Sequence, residues 1–224
     1  MKPIRFLLLT IGLGLGLVVG DPIADAQTGH SPHVIATRKV FLKIDTRTRQ
    51  MEVFLNGVLW KKYPVAVGKP DTPSPVGQWV IIDKQENWGS GFGTRWMRLN
   101  VPWGIYGIHG TNKPASIGYY TSNGCIRMQN HDVEELYGRV PIGTRVYILG
   151  NPLYRLRTLK EGHIGADVQL VQARLKKLGF YNGPVNGRFD PRLERALKDF
   201  ERAHGLPVDG IVTRKDYQAL GLVK

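Results

Sequence analysis

Between residues 39 and 149 apolar residues recur at every second position, the period of half-buried strands. In KVFLKID, Val40, Leu42 and Ile44 share one face. RQMEVFLNGVLWKKYPVAVG reads as two strands joined at Asn56-Gly57, a dipeptide that accepts the left-handed backbone of a tight hairpin turn. In TPSPVGQWVIID a turn over 73–77, rich in proline and closed by glycine, feeds another strand. RWMRLN, WGIYGIHG and TRVYILG predict further short strands, and QENWGSGFGT (85–94) predicts a glycine-rich loop. One short helix interrupts them: Asn130 is its expected cap, Val133, Leu136 and Tyr137 share a face, and Gly138 is its expected end. The pattern predicts a mostly-β domain over 38–150, a sandwich or a barrel.

After residue 150 the period changes. Residues 151–162 read as a basic linker, and beyond them the apolar spacing is that of helices. Val168, Val171, Leu175 and Leu178 mark a first helical face that ends at Gly179. Leu193, Ala196, Leu197, Phe200 and Ala203 mark a second, with Asp190 as N-cap and Pro191 in the first turn. Thr213 and Asp216 have capping-box spacing for a third helix carrying Tyr217 and Leu220. Pro184-Val-Asn-Gly187 stands before the second helix as Pro207-Val-Asp-Gly210 stands before the third, so one turn-then-helix unit occurs twice. Residues 163–224 are therefore expected to form a small all-α domain of three helices, near the lower size limit for independent folding.

The N-terminus adds a destination. MKPIR is basic, FLLLTIGLGLGLVVG carries no charge, and Ala24-Asp25-Ala26 offers small residues around a cleavage point. This is the order of a secretory signal peptide over 1–26; an uncleaved anchor is the other reading, although the run is shorter than the ~20 residues of a spanning helix. No cysteine follows the apolar run, so a lipoprotein anchor is excluded. Residues 27–37 read as a linker, and His30 and His33 without further ligands read as solvated rather than as a metal site. The chain carries +13 in all, spread as +7 over 27–150 and +6 over 151–224. A basic surface suits a polyanion. Export turns that expectation away from nucleic acid and towards an anionic cell wall or lipid. A membrane contact is expected only through an uncleaved leader.

Export also makes the chain's single cysteine, Cys125, conspicuous, because cysteines outside the cytoplasm usually pair. A lone one is an intermolecular bridge, an inert buried thiol or a reactive thiol. A reactive thiol needs a base within reach. His109 ends the apolar strand Gly-Ile-Tyr-Gly-Ile-His and is followed by Gly110, which leaves access; a buried histidine satisfied by backbone is the plainer reading of the same position. His131, at the start of the short helix, reads as solvated. Papain-like peptidases place cysteine before histidine, the reverse of the order here.

GIHGTNKPASIG (107–118) followed by TSNGCIRM (121–128) resembles the L,D-transpeptidase catalytic domain, the YkuD type. TPSPVGQW, GTRWMRLN and DVEELYGRVPIGTRVYI extend the resemblance over roughly 38–150. The family often has histidine before Gly-Cys, where this chain has Asn123. The resemblance implies a β-rich fold and thiol acyl transfer with no metal or organic cofactor. Cys125 would be the nucleophile and His109 the base, its ring oriented by the Gly110 carbonyl. Backbone N–H groups around Gly124 and Cys125 would hold the oxyanion. Ser122 would bond locally. Arg127 would order the loop or meet a substrate carboxylate, with a structural salt bridge as the plainer alternative. Asn123 would touch substrate. Tyr119 and Tyr120 read as walls of a peptide groove, which Trp88, Phe92 and Trp96 could extend, although core packing is the commoner fate of aromatics.

The helical module resembles a three-helix peptidoglycan-binding domain, through VQARLKKLGFYNG, VNGRFD, ALKDFERAHGL, PVDGIVT and YQAL, and departs from it at Asn186 and Leu193. Together the resemblances imply an exported enzyme of the cell wall or periplasm, acting on peptidoglycan stems. Its rivals are an L,D-carboxypeptidase or D-amino-acid exchange enzyme on the same thioester, and a catalytically silent wall-binding protein. The oligomeric state is left open.

Overall fold

The structure, a computed structural model, describes residues 39–224. The expected leader (1–26) and the linker 27–37 lie outside the described residues. In chain order the first elements are β1 (Val40–Asp45), β2 (Gln50–Leu55), β3 (Val58–Pro64), β4 (Val67–Gly68), β5 (Gly77–Glu86), β6 (Arg95–Leu99) and β7 (Tyr106–His109). A 3-10 turn (Pro114–Ser116), β8 (Tyr120–Ser122), β9 (Ile126–Arg127), α1 (Asn130–Arg139) and β10 (Arg145–Leu149) follow. The second module contains α2 (Ala166–Lys177), α3 (Pro191–Ala203) and α4 (Arg214–Ala219).

Eight strands form one sheet in the order β3-β2-β1-β10-β5-β6-β7-β9, and β4 pairs with β8 beside it. The β2–β3 hairpin turns at Asn56 and Gly57, both with positive φ as the sequence predicts. β10 inserts between β1 and β5, parallel to β1. The sheet curls until its ends meet: Ala66, just past β3, exchanges both backbone hydrogen bonds with Arg127 of β9 at 2.9 Å. The domain is thus a single curled sheet, barrel-like, rather than two packed sheets. Leu42, Ile44, Met97, Ile108, Ile126 and Ile148 meet Val133 and Leu136 of α1 in its core.

Helix α1 differs from expectation at both ends. Its N-cap is Gln129, with no side-chain cap bond, and Gly138 lies inside the helix, which runs on to Arg139. Asn130 has been diverted: its Oδ1 accepts the Thr111 N–H at 3.0 Å.

The helical module has its own core of Val168, Val171, Leu175, Leu193, Leu197, Phe200, Tyr217 and Leu220. Asp190 caps α3 by accepting the Leu193 N–H, and Thr213 and Asp216 form the capping box of α4. Leu178 and Ala203 are exposed instead of joining the core, because each sits at a helix end where the chain turns away. The expected linker 151–162 is in part integral to this module. Leu159 is fully buried in its core and bridges Val212, and Arg157 forks onto the buried Asp167 at 2.7 and 2.8 Å. Among the described residues no helix is long and apolar enough to cross a membrane.

Candidate active site

Strand register builds the site. Trp96 of β6 lies opposite His109 of β7, and His109 lies opposite Arg127 of β9. In the next row Arg98 lies opposite Gly107. Cys125 comes one residue before Ile126, the partner of Ile108, and so falls beside Gly107. Side chains directly opposite in a sheet project to the same face, and so do those two residues apart along a strand. Trp96, His109, Arg127 and Cys125 therefore share one face, while Ile108 and Ile126 point the other way into the core. Cys125 is diagonal to His109, and the neighbour directly opposite it, Gly107, has no side chain. A β-carbon at Gly107 would lie 2.6 Å from Trp96 Cη2, so only glycine lets the indole lie across this row.

The turn that carries Cys125 is pinned by Ser122, which is fully buried. Its hydroxyl donates to the Cys125 carbonyl at 2.6 Å and accepts the Gly124 N–H at 3.0 Å. Gly124 has φ of +111°, a backbone that a side chain opposes, and a β-carbon there would strike Tyr106 Cε1 at 2.6 Å. Cys125 is a half-buried free thiol. Burial pushes it above the ordinary thiol value, while the Gly107 N–H and the charge of Arg127 act in the opposite sense.

His109 is 2% exposed. Its Nδ1 is 2.5 Å from the Gly110 carbonyl, so Nδ1 carries the proton and Nε2 is the free base. Phe92 stands edge-on to the imidazole at 4.9 Å and Trp96 lies 5.6 Å away, with Trp88 stacked on Trp96 at 4.4 Å. Burial in this aromatic enclosure holds the imidazole down at about 4, against the Gly110 carbonyl; Arg127 adds to the depression and the Phe92 carbonyl opposes it. At neutral pH the pair is thus a neutral thiol and a neutral imidazole, not an ion pair.

Arg127 makes no salt bridge among the described residues. Its Nε is buried without a hydrogen-bond partner, and Nη1 reaches only the Thr121 carbonyl, at 3.5 Å. The structural ion pair weighed from sequence is not what the guanidinium does.

The remaining sequence candidates divide. Asn123 is exposed beside the turn. Tyr119 is 63% exposed. Tyr120 is committed elsewhere: its hydroxyl donates to the Arg47 carbonyl and accepts from Arg49 Nη1, and the Arg49 guanidinium lies over its ring. Trp96 is buried on the face of the sheet that carries His109, Phe92 packs edge-on to the imidazole, and Trp88 stacks on Trp96 and packs against Phe92. Two contributors escape a reading by residue type. Asn130 reads as a helix cap yet braces the chain behind His109; a β-carbon at Gly110 would lie within 2.3 Å of its Oδ1. Tyr106 reads as one more strand aromatic yet backs Gly124. Among the described residues no three His, Cys, Asp or Glu side chains converge as a metal site requires.

Known proteins match both modules. The family profile described as "L,D-transpeptidase catalytic domain" matches residues 39–148, and that described as "Putative peptidoglycan binding domain" matches 164–220. "Putative L,D-transpeptidase YkuD" of Bacillus subtilis is 48% identical over 107 residues, 48% of this chain and 64% of that protein. "Putative L,D-transpeptidase YqjB" of the same organism is 35% identical over 142 residues, 57% of this chain and 76% of that one. The solved catalytic domain of the Enterococcus faecium L,D-transpeptidase aligns over 49% of this chain and 96% of its own, at 25% identity and TM-score 0.44. The chain thus spans just under two thirds of the YkuD relative and about three quarters of YqjB.

Proposed function

The chain belongs to the L,D-transpeptidase family, and from that premise we propose that it is an exported enzyme whose Cys125 carries the acyl group of a peptidoglycan stem. What supports this most is the single sheet face shared by Cys125, His109 and Arg127. As the thiol attacks the carbonyl of the third residue in a tetrapeptide stem, His109 Nε2 takes its proton. The carbonyl π pair moves to oxygen. The Gly124 N–H is already given to Ser122, which leaves the Cys125 N–H as oxyanion donor at the turn. Collapse breaks the C–N bond to D-alanine, and His109 returns the proton to the leaving amine. The thioester is then attacked by an amine of a second stem, which forms the cross-link and restores the thiol. Water in place of that amine gives an L,D-carboxypeptidase.

A neutral starting pair suits this proton bookkeeping, because the imidazole is free to accept. The Arg127 guanidinium, whose Nη1 makes only a 3.5 Å contact with the Thr121 carbonyl, is a donor for a carboxylate or carbonyl of the stem, and its charge favours the thiolate over the thiol. The catalytic domain is 38–150, and the module that holds wall polymer takes in Arg157 and Leu159 of the expected linker as well as 163–224; the site of action is the cell wall or periplasm. The test is product analysis of disaccharide-tetrapeptides by mass spectrometry. A dimer formed with loss of D-alanine, absent with Cys125→Ala, is expected. Tripeptide alone moves the assignment to the carboxypeptidase, and no product with any stem chemistry sinks the catalytic reading.

A further inference from the structure

The helical module touches the catalytic domain behind the nucleophile, and each contact in that path is close. Gly187 has φ of +67° and lies against Trp103: a β-carbon there would sit 2.3 Å from Cε3 and 2.8 Å from Cζ3 of the indole. The next residue, Arg188, donates Nε–H to the Pro102 carbonyl at 3.2 Å. This turn is held rigidly from its own side. Gln172 of α2, fully buried, accepts the Gly187 N–H at 2.7 Å and donates to the Arg188 carbonyl at 2.9 Å. Trp103 is 3% exposed, clasped between that turn and Trp79, whose ring meets it edge-on at 5.2 Å. On its far side Trp103 meets Tyr106 at 6.4 Å, and Tyr106 lies against Gly124, the residue before Cys125.

We infer that the helical module is a positioning element of the active site: the Gly187–Arg188 turn seats Trp103, Trp103 fixes Tyr106, and Tyr106 holds the Gly124–Cys125 turn. A close-packed row transmits a shift because its members have no room to absorb one. The module therefore does more than hold wall polymer, and Trp103, Tyr106 and Gly187 are positioning residues. The inference deepens the reading of Cys125 as nucleophile and rests on it.

The test is the pH–rate profile of Cys125 alkylation by iodoacetamide in the whole chain, read by intact mass, which the single cysteine makes site-specific. Four proteins are compared: wild type, Gly187→Ala, Trp103→Phe and the double variant. Gly187→Ala is expected to slow alkylation about threefold or more and to displace the profile, and to add almost nothing once Trp103 is phenylalanine, the non-additivity of residues in contact. Backbone strain at position 187 is the same in both backgrounds and cancels. A superimposed Gly187→Ala profile, or an equal effect in both backgrounds, overturns the inference. If Gly187→Ala does not fold, Arg188→Ala takes its place, with about a twofold effect expected in the wild-type background alone; superposition then overturns it. Alkylation needs no peptide stem. A coupled profile in a chain that never turns over tetrapeptide sinks the function and leaves the coupling standing; an uncoupled profile in an active enzyme sinks the coupling alone.

Discussion

Replacing Ser122 by alanine removes one oxygen atom and two hydrogen bonds from the turn that carries the thiol. In the native chain that oxygen accepts the Gly124 N–H and donates to the Cys125 carbonyl. Alanine fills the space but does neither. A buried backbone group left without a partner costs about 1–3 kcal/mol. Gly124 is buried, so its N–H has no water to replace the lost acceptor. The Cys125 carbonyl belongs to a half-buried residue and recovers part of its loss. The sum is about 2–3 kcal/mol, read as a lower urea midpoint with an unchanged m-value. The catalytic loss is expected to be larger than stability alone explains, because displacing a reacting atom by about 1 Å costs roughly a hundredfold in rate. Acylation of Ser122→Ala by tetrapeptide, measured where the variant is fully folded, should fall at least tenfold, about 1.4 kcal/mol in the barrier. A stability within about 0.5 kcal/mol of wild type together with unchanged acylation would refute the assignment of Ser122 as the pin of the turn.

Other consequences follow from charge and burial. His109 binds its proton at about 4 when folded and at its ordinary value of about 6.5 when unfolded, so the unfolded state takes up the extra proton. Stability from this residue is complete above pH ~6.5 and falls by up to about 3 kcal/mol as pH drops towards 4; His109→Asn should flatten that slope in urea titrations, and a slope of opposite sign would contradict the burial argument. Arg127→Met removes the charge that favours the thiolate, so the alkylation profile of Cys125 should move to higher pH; a move to lower pH would count against that role. In the second module Glu201 is fully buried, with Oε2 on the Gly210 N–H and Oε1 unpartnered among the described residues. Burial raises its carboxyl, with Asp216 and Asp209 adding to the rise, so its ionisation opposes folding as pH climbs. Glu201→Gln should raise the unfolding midpoint at pH 8 and not at pH 4; an equal change at both would refute this.

The fold was legible where local chemistry and tertiary packing agree. The Asn56-Gly57 hairpin, the Asp190 cap and the Thr213–Asp216 box are each set by residues within a few positions of one another. Sequence periodicity failed at Asn130, where a residue good for capping is taken instead by Thr111, 19 residues upstream and on another element. It failed again at Leu178 and Ala203, which sit at the ends of α2 and α3 and are exposed rather than packed into the core. At the site, Cys125 and His109 stand out through the motifs that resemble the L,D-transpeptidase family, whereas residue type alone left His109 open. Their environment could not be read. The aromatic enclosure of His109 arises from a loop meeting a strand, and the bond pattern of Ser122 from one tight turn. The path from Gly187 to Gly124 joins residues more than 60 positions apart, and no window along the chain contains it. The partners of the Tyr120 hydroxyl, Arg47 and Arg49, lie far upstream and no local pattern shows them.

The most direct test is the covalent intermediate itself. The chain is mixed with disaccharide-tetrapeptide, quenched within a turnover, and its intact mass and peptide map are recorded beside Cys125→Ala and His109→Ala. The mechanism predicts an adduct equal to the stem less D-alanine, carried by the peptide that contains Cys125, absent from the first variant and strongly slowed in the second. Release of D-alanine without an adduct on Cys125, or an adduct on another residue, would contradict it.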